Sequence, residues 1–272
     1  MELKRIKIIT TLTIILCVSL AAISYFGVFR ADTYMRDSVS MRAQGAGQDI
    51  VDLFLVVPLL IISLIYIRRK HRFFILIFNG IIFYILYSFF IYSFGVHFNN
   101  LFLLYCLILG SSLYIFIITV TELSGTDIKY LFSEKIPLKT IAIYFIVIAA
   151  MFYLLWLKDI IPAILNNTVP KSVSDNGLLV NPVHVLDISV ALPGLIITAV
   201  LLLKKHNLGF IFAPVLLVFL IILTVALIGM LIMMQIKGIN EDISPAVIFG
   251  ALSVISIILL TKYLNSIRIS KG

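Results

Sequence analysis

The feature that most constrains this chain is a series of long apolar runs that carry almost no charge. One of them, from Ile211 to Met234, contains no charged residue. A helix needs about 20 apolar residues to cross roughly 30 Å of hydrocarbon, and such a run has no stable place on a water-soluble domain. Hydrophobic residues make up 62% of the chain and charged residues only 12%, too few to cover a soluble fold. The sequence therefore predicts an all-α integral membrane protein.

Apolar segments of spanning length recur along the chain, which predicts eight transmembrane helices. Their approximate bounds are 8–29, 50–67, 73–94, 101–120, 140–157, 186–203, 208–234 and 246–263. If the N-terminus is inside, 15 of the 21 Lys and Arg residues fall on the inner side. Because cytoplasmic loops of membrane proteins are enriched in these residues, both termini are predicted to be cytoplasmic, in a multi-pass protein of the cell membrane.

This distribution of basic residues also explains the formal net charge of +8. The charge belongs to the loops between apolar runs, so the predicted partner is the lipid bilayer and not nucleic acid. The sequence contains none of the compact phosphate-loop, serine-hydrolase or zinc motifs of soluble enzymes. It therefore assigns no cofactor, and whether a protein partner or a second copy binds stays open.

The sequence contains an internal repeat with an offset of 135 residues. Residues 49–71 align without a gap over residues 184–206, and seven of the 23 positions are identical. The informative identities are Asp52 with Asp187, Pro58 with Pro193, and the terminal pair Lys70-His71 with Lys205-His206. The offset is about half the chain, and it maps the second predicted helix onto the sixth.

This repeat predicts two four-helix halves within one membrane domain, residues 1–135 and 136–272. An even number of spans in each half gives both halves the same orientation. Parallel repeats of this kind are usually related by a pseudo-two-fold axis along the membrane normal.

Polar residues are predicted to gather at the outer ends of the helices. Asp49 and Asp52 open the second predicted helix, His184 and Asp187 open the sixth, and His97 lies in the third-to-fourth connection. One interpretation is helix capping, because acidic groups stabilise the positive end of a helix. The other is a ligand site near the pseudo-two-fold axis, which could hold a cation or a polar ligand. The sequence leaves this choice, and the presence of a metal, open.

Several further side chains have predicted structural roles. Pro58 and Pro193 lie within their spans, where proline frees a carbonyl and bends the helix. Asn181 is predicted to cap the sixth helix ahead of a proline at its first position. Trp156 and Tyr92 are predicted to anchor outer helix ends at the membrane interface. No ionisable residue is expected near the centre of any span, which counts against a buried ion-coupling site.

The stretch from Asp187 to Gly229 resembles prokaryotic multi-span membrane proteins that carry no assigned activity. The resemblance rests on Pro-Val-His-Val-Leu-Asp at Pro182–Asp187 and Ala-Pro-Val-Leu-Leu-Val-Phe at Ala213–Phe219, and it covers about a fifth of the chain. It implies a bacterial or archaeal cell membrane and no mechanism.

Three functions fit the sequence. The first is a small-solute or ion transporter, favoured by the repeat and the paired prolines. The second is a non-catalytic sensing, scaffold or accessory protein that uses its outer loops. The third is a membrane enzyme that acts at the outer leaflet, although the missing motifs favour a protein that is not an enzyme.

Overall fold

The computed structural model describes residues 3–68, 74–133, 136–239 and 242–267. Within these ranges the regular structure is helical, apart from one isolated β-bridge. Eight helices are long and apolar enough to cross a membrane, as the sequence predicts. They are α1 (Leu3–Phe29), α2 (Val39–Arg68), α3 (Phe74–Gly95), α4 (Phe102–Ser124), α5 (Leu138–Leu165), α6 (Pro182–Leu203), α7 (Asn207–Ile236) and α8 (Pro245–Asn265).

Most predicted helix bounds are close to the observed ones, but α2 begins about a dozen residues earlier than predicted. Its first turns carry Arg42, Gln44 and Gln48, so a search for apolar runs does not find them. This part of the helix buries Ala43 and Gly47 instead, and it packs against α7. The start of α2 therefore cannot be found from local hydrophobicity.

Helices α3 and α7 form the centre of the bundle. In the most apolar 18-residue stretch of each helix, 67% of the residues of α3 and 50% of those of α7 are buried. The corresponding share is 39% or less in the other spans. Gly80 of α3 lets the two backbones approach closely, since an added methyl group would lie 2.4 Å from Val218 of α7. Peripheral helices expose large apolar side chains, including Leu103, Leu154 and Val247, which suit contact with lipid.

Helix α2 contains a single π-helical turn, at Asp52–Val56. Here the N–H of Val57 donates to the carbonyl of Asp52, five residues earlier, instead of the usual four. The next residue is Pro58, which has no N–H to donate. The carbonyl of Leu53 consequently loses both backbone donors that could reach it within the helix.

Helix α6 contains the same irregularity at Asp187–Ala191, followed by Pro193. The N–H of Leu192 donates to the carbonyl of Asp187. The carbonyl that is freed at Ile188 accepts a hydrogen bond of 3.3 Å from the hydroxyl of Tyr153 on α5. The two π-helical turns are 135 residues apart, which is the offset of the sequence repeat. The last residues of the first repeat copy, Lys70 and His71, lie outside the described residues.

The connections 30–38, 96–101 and 166–181 lie on one side of the bundle, called the loop face below. On the opposite side, the segments that follow α4 and α8 meet each other. Phe132 and Ile267 form the antiparallel β-bridge, and the N–H of Ser133 donates to the carbonyl of Ser266 at 2.8 Å.

Candidate functional site

The acidic residues at the predicted helix starts do not cap helices. Helix α2 is capped by Ser38, whose hydroxyl accepts a hydrogen bond of 3.1 Å from the N–H of Met41. Asp49 and Asp52 lie well inside this helix and are 0% and 1% exposed. The capping interpretation is therefore wrong for both, because α2 starts ten residues before Asp49.

Helix α6 is capped by Asn181, as predicted. Its side-chain oxygen accepts a 3.0 Å hydrogen bond from the N–H of Val183, and Pro182 occupies the first helical position. His184 and Asp187 lie beyond this cap and are buried inside the span. Capping is therefore also the wrong interpretation for Asp187.

Asp52 lies near the middle of α2, and not at its start as the apolar run predicts. Asp52 lies 13 residues after Val39, which is about 20 Å along a helix of roughly 45 Å. The prediction failed because it placed the start of α2 at residue 50. An ionisable residue inside a membrane span is costly to keep there and is most often functional.

Asp49 and Asp52 form a cluster with three tyrosines, called the tyrosine–aspartate cluster below. Tyr34 donates its hydroxyl to Asp49 Oδ2 at 2.5 Å, and Tyr92 donates to Asp49 Oδ1 at 3.3 Å. Tyr84 donates to Asp52 Oδ1 at 2.9 Å. Asp52 Oδ2 is buried and has no hydrogen-bond partner among the described residues. Three of the four carboxylate oxygens are thus satisfied and one is open.

Three elements besides α2 build this cluster. The connection after α1 supplies Tyr34, while α3 supplies Tyr84 and Tyr92, which lie about two turns apart on one face. Helix α1 supplies space, since a methyl group added at Gly27 would lie only 1.7 Å from Asp49 Oδ2. Among the described residues, no Lys or Arg forms an ion pair with Asp49 or Asp52.

Asp187 has a different environment, although it occupies the equivalent position of the sequence repeat. Both of its oxygens accept hydrogen bonds of 2.8 Å, Oδ1 from the hydroxyl of Tyr87 on α3 and Oδ2 from the indole N–H of Trp156 on α5. His184 packs against the same indole, with 4.7 Å between ring centroids. These contacts fix Asp187 and brace α6 between α3 and α5.

His97 does not join either aspartate. Its ring Nδ1 lies 2.8 Å from Asp37 Oδ1, and its backbone N–H donates to the same oxygen at 2.9 Å. This pair holds the connection between α3 and α4 against the connection between α1 and α2. Of the five predicted site residues, the structure therefore brings together Asp49 with Asp52 and, separately, His184 with Asp187.

A multidentate metal site is not supported. Across the described parts of the chain, no three His, Cys, Asp or Glu side chains lie close enough together to hold a metal ion. Divalent ions such as Ca²⁺ need six to eight oxygen ligands, which two carboxylates do not provide.

An open cleft of about 300 Å³ lies on the loop face. Its lining includes Arg30, Asp32, Arg36 and Asn99. A hydrogen bond from Arg30 lowers the pKa of Asp32, so this carboxylate stays ionised beside the cleft. The amide of Asn99 donates to the hydroxyl of the buried Tyr105 at 3.0 Å. The ring of Tyr105 packs 5.5 Å from that of Tyr92, so aromatic side chains connect the cleft to the cluster.

Sequence reasoning missed most of the partners of the aspartates. Tyr92 and Trp156 were predicted as interfacial anchors, and both prove to be donors to buried carboxylates. One signal was available in the spacing of Tyr84, Tyr87 and Tyr92, which places three hydroxyl groups along a short stretch of α3. Tyr34 gave no signal, because its contact with Asp49 depends on how the connection folds back.

Comparisons with protein-family models, curated proteins and solved structures find no match. The resemblance of Asp187–Gly229 to prokaryotic multi-span proteins therefore adds nothing to the function, which rests on the site alone.

Proposed function

We propose that the protein is a transporter for a small solute or ion, and that its pathway passes the tyrosine–aspartate cluster of α2. The observation that carries this proposal is a pair of fully buried carboxylates inside a membrane span, next to an irregular turn, without a described basic partner. Transporters commonly place their binding sites where spanning helices are interrupted at the interface of repeats. π-Helical turns likewise occur frequently at functional sites.

We further propose that the two halves, 1–135 and 136–272, are parallel repeats about a pseudo-two-fold axis. In such an arrangement, residues near the axis contact their own counterparts 135 positions away. Gly80 and Val215 have this relation, since a methyl group at Gly80 would lie 2.8 Å from the Val215 carbonyl oxygen. Phe132 and Ile267, the two residues of the β-bridge, have it as well.

Contacts away from the axis should occur twice. A contact between one residue of each half should be matched by a contact between the two residues that lie 135 positions away from them in the other halves. A methyl group at Gly47 of α2 would lie 2.6 Å from the Cα of Met230 on α7. The matching pair is Pro182 of α6 and Gly95 of α3, and there a methyl group at Gly95 would lie 2.7 Å from the proline ring. Together with the paired π-helical turns, these contacts support duplication independently of the sequence alignment.

The basic residues support an orientation with both termini in the cytoplasm and the loop face outside. In this orientation the cleft on the loop face opens to the exterior. The bends predicted at Pro58 and Pro193 belong to the same proposal, because each follows a π-helical turn that interrupts the regular backbone bonding of its helix.

Transport predicts that buried positions beside the cluster become accessible to water from each side in turn. Ser88 of α3 is 2% exposed and lies one turn after Tyr84. In a protein whose Cys17 and Cys106 are replaced by serine, Ser88→Cys should react with a membrane-impermeant thiol reagent applied to either side of oriented vesicles. The measurement is the labelling rate from each side.

Ser112→Cys on α4 is the matched control, since Ser112 is also buried but bonds within its own helix to the carbonyl of Leu109. It should react at least tenfold more slowly than Ser88→Cys. Labelling of Ser88→Cys from one side only would contradict transport and favour a sensing protein. Labelling no faster than the control from both sides would contradict any solute pathway at the cluster.

A further inference from the structure

The two equivalent aspartates differ in one respect that has chemical consequences. Asp187 has a donor on each oxygen, Tyr87 and Trp156. Asp52 accepts from Tyr84 on Oδ1 and has the side-chain amide of Gln48 close by, but its Oδ2 has no hydrogen-bond partner among the described residues. The counterpart of Trp156 in the first half is Ala21 of α1, which carries no donor. In the second half an indole N–H therefore donates to the second oxygen of the aspartate, whereas in the first half Asp52 Oδ2 has no donor among the described residues.

An open carboxylate oxygen in this position is costly. Asp52 is 1% exposed and its Oδ2 has no partner among the described residues. A buried acceptor without a partner loses the hydration of its unfolded state and regains nothing. Asp49, one helical turn earlier, adds a second buried carboxylate that interacts electrostatically with the first. Two negative charges so close together in an apolar bundle need at least one compensating positive charge.

The neighbouring elements do not supply that charge. Besides Asp49, the titratable groups that face Asp52 and Asp49 are the phenols of four tyrosines, none of which supplies a positive charge. They are Tyr84 and Tyr92 from α3, Tyr34 from the connection and Tyr105 from α4. Helix α7 packs against α2 and has no charged residue between Asn207 and Ile236. Helix α1 approaches Asp49 at Gly27, which has no side chain to carry a charge.

We propose that Asp52 Oδ2, together with Asp49, binds one monovalent cation, either a proton or Na⁺, and that Asp187 does not. This inference rests on the proposed function and names the ion that the pathway takes. A single charge fits because one added positive charge supplies the compensation that the carboxylate pair lacks. A series of contacts, from Asn99 to Tyr105 and from Tyr105 to Tyr92, links the cleft on the loop face to the site.

The test uses the full-length protein in nanodiscs of zwitterionic lipid, with thermal unfolding as the readout. In one arm NaCl replaces choline chloride at constant ionic strength and fixed pH. In the other arm the pH is lowered without Na⁺. A ligand that binds only the folded state raises the midpoint temperature of unfolding, and the rise grows with the ligand concentration. Binding predicts a rise of roughly 5 °C at about a hundredfold excess over Kd in one arm, and that arm identifies the ion.

Asp52→Asn should abolish this response, since an amide at this position carries no charge for a cation to balance. The matched control is Asp187→Asn at the equivalent position. It should unfold at a lower temperature, because one of its donors then faces an amide N–H, but it should keep the full response. Asp49→Asn provides a second variant if Asp52→Asn does not fold, and its apparent Kd should rise at least tenfold.

The absence of a response in the wild type in both arms would overturn the inference. It would also be overturned by a full response in Asp52→Asn or Asp49→Asn, or by loss of the response in Asp187→Asn. The result is separable from the proposed function: two-sided labelling of Ser88→Cys without any cation response removes this inference alone. A cation response without two-sided labelling removes transport and leaves a cation-binding protein.

Discussion

Replacing Gly27 by alanine should lower the free energy of unfolding by about 3–5 kcal/mol, although it adds only one methyl group. That methyl group would lie 1.7 Å from Asp49 Oδ2 and 2.9 Å from the hydroxyl of Tyr34. The Asp49 carboxylate must move, and it then loses the short hydrogen bond from Tyr34 in a site that water does not reach. Reversible unfolding in mixed micelles would measure the loss.

Gly110→Ala is the matched control for this prediction. An added methyl group at Gly110 of α4 meets nothing within 4 Å, so the change should be neutral or stabilising by up to about 1 kcal/mol, the helix preference of alanine over glycine. Combining Gly27→Ala with Asp49→Ala removes the group that clashes. The double variant should therefore be more stable than the sum of the two single losses predicts, by at least about 1 kcal/mol. Full additivity would show that Gly27 acts independently of Asp49.

Gly47→Ala should destabilise the protein by about 2–4 kcal/mol, because it separates α2 from the centre of the bundle. The added methyl group would lie 2.5 Å from the carbonyl oxygen of Gly229 and 2.6 Å from the Cα of Met230. These are backbone atoms of a central helix, so they cannot relieve the clash by a change of rotamer as a side chain can. Gly47 also directly precedes Gln48 and Asp49, so separation of the helices here opens the tyrosine–aspartate cluster.

Gly250→Ala is the control, since a methyl group at that position of α8 meets nothing within 4 Å. The same unfolding measurement should give a change of less than about 0.5 kcal/mol in the destabilising direction. An equal loss for Gly47→Ala and Gly250→Ala would mean that the close approach of α2 and α7 contributes nothing to stability.

The membrane class and the eight spans could be predicted from the sequence because both depend on local hydrophobicity. The start of α2 could not. Its first turns are polar, and they pack through Gly47 against Gly229 of α7, a contact between residues far apart in the chain. That single error moved Asp49 and Asp52 from the middle of a helix to its start, and it made capping the more reasonable interpretation.

The candidate site was predicted in part for the same reason. The offset of 135 residues identified Asp52 and Asp187 as a pair, since an aspartate followed by a proline six residues later is rare in an apolar span. The sequence repeat does not predict that the two aspartates differ in their hydrogen-bond donors. That difference depends on the contact of Trp156 on α5 with Asp187, which only the tertiary structure reveals.

The measurement that tests the central claim most directly is charge movement across a membrane that contains the protein. On a solid-supported membrane, a rapid step in Na⁺ or proton concentration produces a current when a cation enters a site deep inside a span. Asp52 lies inside α2 and is buried, so we expect entry of a cation at this residue to cross part of the membrane's electric field. The protein should give a current in response to one of these two steps, and Asp187→Asn should give one as well. Asp52→Asn should match a protein-free membrane, and a wild-type protein that gives no more current than the protein-free membrane in either step would contradict the account.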